Sequence, residues 1–404
     1  MFGLIRASGT AAVAACLALS MVACGDGGPS GNEPLDPGLV AQGKDIFRFD
    51  TYGDETFWTD TLRIHEVIQA AVDPTTALSV GLKVDAAALP AEVVQGIQSG
   101  TISLTDPATT VALLKLNAVV GLKGTVETIE GRDTLVRVGT TCALCHSTVD
   151  NSFATGIGAR LDGWQNSELN PGAIIALSPA LTADLKAVYN SWGPGRYDPR
   201  FNRDGINGPV VIPPAYGLLG VNRIIYTGDG EDIAYWNRYV GVTQMHGHGT
   251  FTDSRIGANV QNPPDMISSK LEALQEYQLS LVTPAPTGDF DPAAAERGRA
   301  VFEGAGTCAT CHSGDLLTDA DTRLHDPSEV VSEPEPNGVP SYASRSATKQ
   351  YRTTPLRGLL LHPPYFHNGT AASLDAVVEL YDTKKGLGLT AEQKADLVEY
   401  LKSL

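Results

Sequence analysis

Apolar positions recur at helical spacing in several separate stretches of the chain. Val40, Ile46 and Phe47 mark one side of 38–49, and Leu62, Val67 and Ile68 do the same within 59–71. Further helices are predicted over 90–98, from Thr105-Asp106-Pro107 to Leu116, from Ser178-Pro179 to Tyr189, and over 232–239. Leu271, Leu274, Leu279 and Leu281 share the apolar side of 269–281, and Asp291-Pro292 opens a helix that carries Val301 and Phe302. Strand formers gather in 119–129 and 134–138, on either side of Glu130-Gly131-Arg132-Asp133, which predicts a hairpin. Residues 150–214 are loop-like, rich in Gly, Pro, Asn and Asp. Thr283-Pro284-Ala285-Pro286-Thr287-Gly288 reads as a stiff linker and a domain boundary.

Two of these helices repeat a pattern. Gly43-Lys44-Asp45-Ile46-Phe47 matches Gly298-Arg299-Ala300-Val301-Phe302, and a C-x-x-C-H follows each, at Cys142-Ala143-Leu144-Cys145-His146 and at Cys308-Ala309-Thr310-Cys311-His312. Two thiols at that spacing add across the two vinyl groups of one haem, and the adjacent His binds the iron. A zinc site would want further Cys or His partners nearby, and a redox dithiol does not require the trailing His. The chain is therefore expected to carry two covalent haem c groups, with His146 and His312 as proximal ligands. The glycine and aliphatic-Phe pair resembles the first helix of a cytochrome c domain. The expected fold is mainly α: two cytochrome c-like haem domains, 38–285 and 286–404, with a folded α/β-containing insertion at 50–138 in the first. No catalytic motif stands in the insertion.

Cysteine usage and charge add the setting. Four of the 6 cysteines belong to the haem motifs. Met1 to Cys24 has Arg6, an apolar run from Ala7 to Val22, and Met21-Val22-Ala23-Cys24, which reads as a signal peptide (1–23) whose lipobox makes Cys24 a lipidated N-terminus. Residues 24–37 read as a tether. The expected location is the periplasm, with the membrane touched only through the lipid. A net charge of -17 argues against nucleic acid as a partner and permits docking of a basic redox partner.

A family likeness rests on the second domain. Tyr351-Arg352-Thr353-Thr354-Pro355-Leu356-Arg357, then Pro363-Pro364-Tyr365-Phe366-His367-Asn368-Gly369-Thr370, then Leu374 to Tyr381 resemble the bacterial dihaem cytochrome c peroxidases, including the branch that matures the methylamine dehydrogenase cofactor. The first domain resembles them more weakly, at Gly205-Ile206-Asn207-Gly208-Pro209 and Gly228-Asp229-Gly230. The resemblance implies that the N-terminal haem reacts with hydrogen peroxide while the C-terminal haem relays electrons from a small donor protein or a quinol-linked donor. It puts Tyr381 where the family binds the C-terminal iron from the far side, with His325 and His367 as other candidates. Arg357 becomes a propionate partner, and Asn207 a ligand to calcium alongside carbonyls near His362 and Pro364.

The first domain departs from the family pattern. No His stands in 156–165 to block the first iron. Gly228 replaces the Trp between the haems, leaving Tyr226, Trp164, Trp192 or Trp236 to substitute. The family's distal Glu falls, by ungapped counting from Asp229, on His248. Imidazole suits proton transfer to and from a peroxide, so His248, with Gln244 or His246 as hydrogen-bond partner, is the candidate acid–base group; ligation of the iron from this turn is the alternative. Two other functions stay open: an electron carrier without peroxide chemistry, and an oxidase or oxygenase of an organic substrate.

Overall fold

Asp36 accepts from the amides of Gly38 and Leu39, and Pro37 supplies the first-turn φ, so the opening helix runs Pro37–Phe49. This computed structural model describes residues 34–404 apart from 287 and 289; the expected signal peptide, Cys24 and most of the tether lie outside the described residues, as does Thr287 of the linker. Residues 34–404 form one compact unit. Its described strands pair only two at a time, and no described helix is long and apolar enough to cross a membrane.

The repeat in the sequence becomes a repeat in packing. The helix Pro37–Phe49 crosses Leu271–Ser280, and the helix Pro292–Glu303 crosses Ala391–Lys402. Each crossing is closed by the glycine. A Cβ on Gly43 would lie 1.8 Å from the Ala273 carbonyl oxygen, and one on Gly298 would lie 2.0 Å from that of Asp396. One turn on, Phe47 meets Tyr277 edge-on at 5.4 Å and 62°, and Phe302 meets Tyr400 at 5.2 Å and 64°. The closing helix Ala391–Lys402 was not predicted, although Thr390 and Gln393 form a capping box at its start.

Other boundaries moved for local reasons. The expected 59–71 helix is broken: a π-helical turn over Thr56–Thr61 gives way at Arg63, which takes φ 58, before Ile64–Ala71 begins. The helix expected from Ser178 begins at Ala183, capped by Thr182, because the Ser178 hydroxyl instead donates to the Leu62 carbonyl at 2.6 Å. The hairpin pairs Leu122–Ile129 with Arg132–Thr140, and only Glu130 and Gly131 form its turn, both with positive φ. These elements share a core with the first haem motif: Leu62, Ile68, Leu114 and Leu135 cluster with Leu144 and Trp192.

The segment before and the segment after the linker interlock. Tyr342, Ala343 and Tyr351 belong to the same core cluster as Phe47, Tyr239 and Tyr277. Beside them Arg345, nearly fully buried, donates to both oxygens of Asp198 at 3.0 Å, to Asp204 at 2.7 Å, and to the carbonyls of Gly208 and Ile206. Arg200 returns the contact by donating to the Arg345 carbonyl at 2.9 Å. Such a buried ion pair holds the two segments in register, because removing one partner strands the other charge.

Candidate haem sites

The two C-x-x-C-H motifs place their histidines alike. After a turn over Cys308–Thr310 the His312 amide donates to the Cys308 carbonyl at 2.9 Å. Its Nδ1 then lies 3.1 Å from the Leu317 carbonyl. In the first motif the short helix Ala143–His146 brings His146 Nδ1 to 3.1 Å from the carbonyl of Pro213. A carbonyl only accepts, so Nδ1 carries the proton in both rings and Nε2 keeps its lone pair for a metal. Burial lowers both imidazoles to about 4, with only a partial offset from the carbonyl bonds, so both are neutral, the ligating form.

A cavity of about 500 Å³ surrounds the second motif. Cys308, Cys311, His312 and Tyr381 line it, together with Arg352 and Arg357. Burial raises the Tyr381 phenol well above its ordinary range, with Cys308 and Cys311 adding to the effect. Two cations in the wall keep unsatisfied nitrogens: Arg357 Nη2 and Arg352 Nε are buried with no hydrogen bond, although Arg352 Nη1 donates to the Arg223 carbonyl at 2.6 Å. Burial lowers Arg357 and brings Arg352 down to about 10. Unpaired buried guanidinium groups are costly, and two carboxylates would satisfy them in the forked geometry that Arg favours. Thiols, a free Nε2, an apolar cavity and two guanidinium groups with unsatisfied nitrogens fit one covalent haem with its propionates. Arg357 was expected in this role; Arg352 was overlooked, although it stands in the same sequence motif.

The other expected ligands of this cavity are occupied. His325 has Nε2 3.1 Å from Asp319 and Nδ1 3.0 Å from Glu329. His367 has Nε2 2.5 Å from Glu335 and Nδ1 3.4 Å from Ser332. Tyr381 lines the same cavity beside Cys308 and Cys311.

The two sites share a wall. Pro213, whose carbonyl holds His146, also lines the cavity around His312. Tyr226 lines that cavity and neighbours Tyr197, whose phenol is raised by burial and then by Tyr342, Cys145 and Tyr226. Trp164 meets the lining residue Tyr216 at 6.3 Å, and its neighbour Gly163 donates to the His146 carbonyl. Trp192 instead packs on Phe201 in the cluster that holds Leu62 and Leu144, and Trp236 on Tyr239 in the cluster that holds Phe47. Among the expected substitutes, Tyr226 and Trp164 are therefore the ones between the motifs. Around the first motif Tyr52 Oη, Tyr342 Oη and Arg200 Nη1 are buried without partners.

The expected acid–base group is not assembled as anticipated. His248 Nδ1 lies 3.0 Å from the Pro263 carbonyl and Nε2 3.5 Å from Thr56 Oγ1, so neither Gln244 nor His246 is its partner. Gln244 donates to the Pro199 carbonyl at 3.0 Å. His246, at φ 65, stacks on Phe57 at 3.6 Å and meets Phe201 edge-on. Its left-handed backbone turns it into this aromatic box and away from His248. Burial, then Arg203, lowers it to about 3. Arg203 approaches Nδ1 at 3.4 Å, which puts the proton on Nε2, a buried N–H without a partner.

The calcium shell expected at Asn207 is also differently used. Asn207 Oδ1 accepts from Trp192 Nε1 at 3.0 Å, and Nδ2 donates to Ser191 at 2.8 Å. The flanking carbonyls of Ile206 and Gly208 face Arg345. A guanidinium, rather than an open oxygen shell, meets this loop.

Comparison with known proteins bears on the same region. Residues 295–404 match the cytochrome c family model, which indicates covalent haem c. The chain is 28% identical to the cytochrome-c peroxidase IdrP1 of Denitromonas iodatirespirans, over 33% of this chain and 48% of that protein. It is 28% identical to the cytochrome c551 peroxidase of Pseudomonas aeruginosa, over 33% of this chain and 42% of that one. The chain thus spans about half the length of the curated relatives it matches. A solved MauG-like protein associated with microbial copper homeostasis aligns with a TM-score of 0.33 at 19% identity, over 48% of this chain and 73% of that one. The sequence likeness to bacterial cytochrome c peroxidases stands on the two curated relatives.

Proposed function

We propose that this chain is a periplasmic dihaem c-type oxidoreductase of the peroxidase kind, working on hydrogen peroxide at the N-terminal motif and taking electrons in through the C-terminal one. Pro213 is the observation that carries the reading. One residue holds the ligand His of the first motif and walls the cavity of the second, so electrons have a short protein path between two redox centres. Bound haem supplies the one-electron chemistry and, at an open iron, the place where peroxide is reduced.

The chain's own residues do the remainder. His146 and His312 offer neutral Nε2 atoms, each ring fixed by a backbone carbonyl. Arg352 and Arg357 would hold the charge of a propionate pair inside the cavity. Tyr226 and Trp164 fill the space between the motifs. Proton handling falls to the turn 246–249, which sits on Tyr52 through the bond from the His248 amide to the Tyr52 carbonyl at 2.7 Å; Tyr52 in turn neighbours Cys142. At that turn His246 carries a buried, unpartnered Nε2–H and His248 a half-buried ring. The donor is a small redox protein or a quinol-linked carrier, and Cys24 carries the lipid anchor.

The test is peroxide-dependent oxidation of a reduced small cytochrome by the full dihaem protein, with His246→Ala and His248→Ala beside it. Turnover lost in either variant with both haem spectra intact supports the reading and says which histidine handles the proton. No turnover in the parent protein would leave the electron carrier as the function. Oxygen uptake that depends on an added organic compound would instead point to an oxygenase.

A further inference from the structure

The cavity around His312 is lined by Tyr216, Tyr226, Tyr351, Tyr365 and Tyr381. Their hydroxyls meet different partners. Tyr216 and Tyr365 donate to the backbone carbonyls of Gly358 and Leu359, which cannot take up a proton. Among these five, Tyr351 is the one that donates to a carboxylate, Glu333 Oε1, at 2.5 Å. Ser341 Oγ lies 3.1 Å from the same hydroxyl and donates to the same Glu333 oxygen at 2.7 Å. Tyr351 is 3% exposed, and its ring stacks on His367 at 4.8 Å and 30°. His367 is held in turn by Glu335. Glu333 itself is only half-buried and therefore reaches solvent from the inner end of this network. Burial, then Glu333, raises the Tyr351 phenol above its ordinary range, so the hydroxyl is protonated at rest.

A phenol gives up an electron readily when its proton leaves in the same step, because an oxidised phenol that keeps its proton is a very strong acid. A positioned base makes that step easy. We infer that Tyr351 is a redox-active tyrosine that gives one electron to the haem group of this cavity while its proton moves to Glu333. The Tyr351 O–H bond breaks, a new O–H bond forms on Glu333, Tyr351 is oxidised by one electron and the haem is reduced by one. Hydrogen peroxide supplies the oxidising equivalents: it takes two electrons and two protons to give two waters, and one of those electrons is Tyr351's. The external donor later returns the electron, and Glu333 returns the proton. This rests on the peroxidase reading above for the source of the oxidant. It adds a protein site that holds one equivalent until the donor arrives.

The test is rapid-freeze EPR of the full dihaem protein after mixing with hydrogen peroxide, in parent, Tyr351→Phe and Glu333→Gln forms, with ring-deuterated tyrosine as a label. The expected result is a free-radical signal whose hyperfine splitting collapses on deuteration. It is lost in Tyr351→Phe, which keeps the ring stack, and diminished in Glu333→Gln, which keeps a hydrogen-bond acceptor but no base. A signal of unchanged yield in Tyr351→Phe overturns the inference. So does the absence of a tyrosyl signal in the parent while its ferric haem signals fall. Ferric signals that do not fall at all count against the peroxidase reading instead. The same comparison is then made by flash photo-oxidation with a ruthenium tris-bipyridine complex, where a tyrosyl yield indifferent to Tyr351→Phe overturns the inference by itself.

Discussion

At the scale of single residues, the chemistry of this chain lies in which polar atoms are given partners and which are not. His246 shows the consequence for stability. Its ring is stacked on Phe57 and brought down to about 3, whereas an unfolded histidine titrates near about 6.5. As pH falls, the unfolded chain takes up this proton first, so stability present above about 6.5 is lost on the way down to about 3. Replacing His246 with Phe should flatten this acid limb by up to about 1.4 kcal/mol per pH unit. Urea denaturation at pH 7 and pH 5 measures it, and equal slopes in both proteins would mean that His246 titrates freely. Arg357 makes a second case. With its orphaned Nη2 facing the cavity, Arg357→Gln removes a positive charge beside the haem and should lower the C-terminal reduction potential in a spectroelectrochemical titration, while an Arg that only faces solvent would leave it unmoved. The two haem-attachment motifs were legible in the sequence because C-x-x-C-H is a local pattern. The box around His246 was not, because Phe57, Phe201 and Arg203 reach it from distant parts of the chain.

At the scale of elements, two helix crossings carry the repeat. Gly43 and Gly298 were legible as a pattern, but Tyr277 and Tyr400, which complete each crossing, lie far along the chain and no local period links them. The helix Ala391–Lys402 could have been found from Thr390 and Gln393 alone. The break at Arg63 could not, since a non-glycine residue at positive φ leaves no mark in composition. Because the Cβ of Gly298→Ala would press on a backbone oxygen at 2.0 Å, the helices must part, at a cost of about 1–3 kcal/mol. Chemical denaturation should show that loss in Gly43→Ala as well. A variant as stable as the parent would mean that the crossing is looser than described.

At the scale of the whole molecule, Arg345 and Pro213 join what the linker separates. Arg345→Met leaves Asp198 and Asp204 as unpaired carboxylates, Asp198 fully buried, and should cost about 3–5 kcal/mol by chemical denaturation. With Arg345 present, a chelator should leave the melting temperature unchanged, as a guanidinium faces the loop where calcium was expected; a fall on adding EDTA would restore the metal. The sequence resembled a family that pairs two haems, yet nothing local in it could show that one proline serves both sites. The proposed function sets two irons in one chain on either side of that proline, one of them open to peroxide. Low-temperature EPR of the fully ferric protein with spin quantitation tests it most directly. One high-spin and one low-spin haem signal, together accounting for two irons per chain, is the predicted result. A single iron per chain, or two low-spin irons that stay closed on half-reduction, would contradict it.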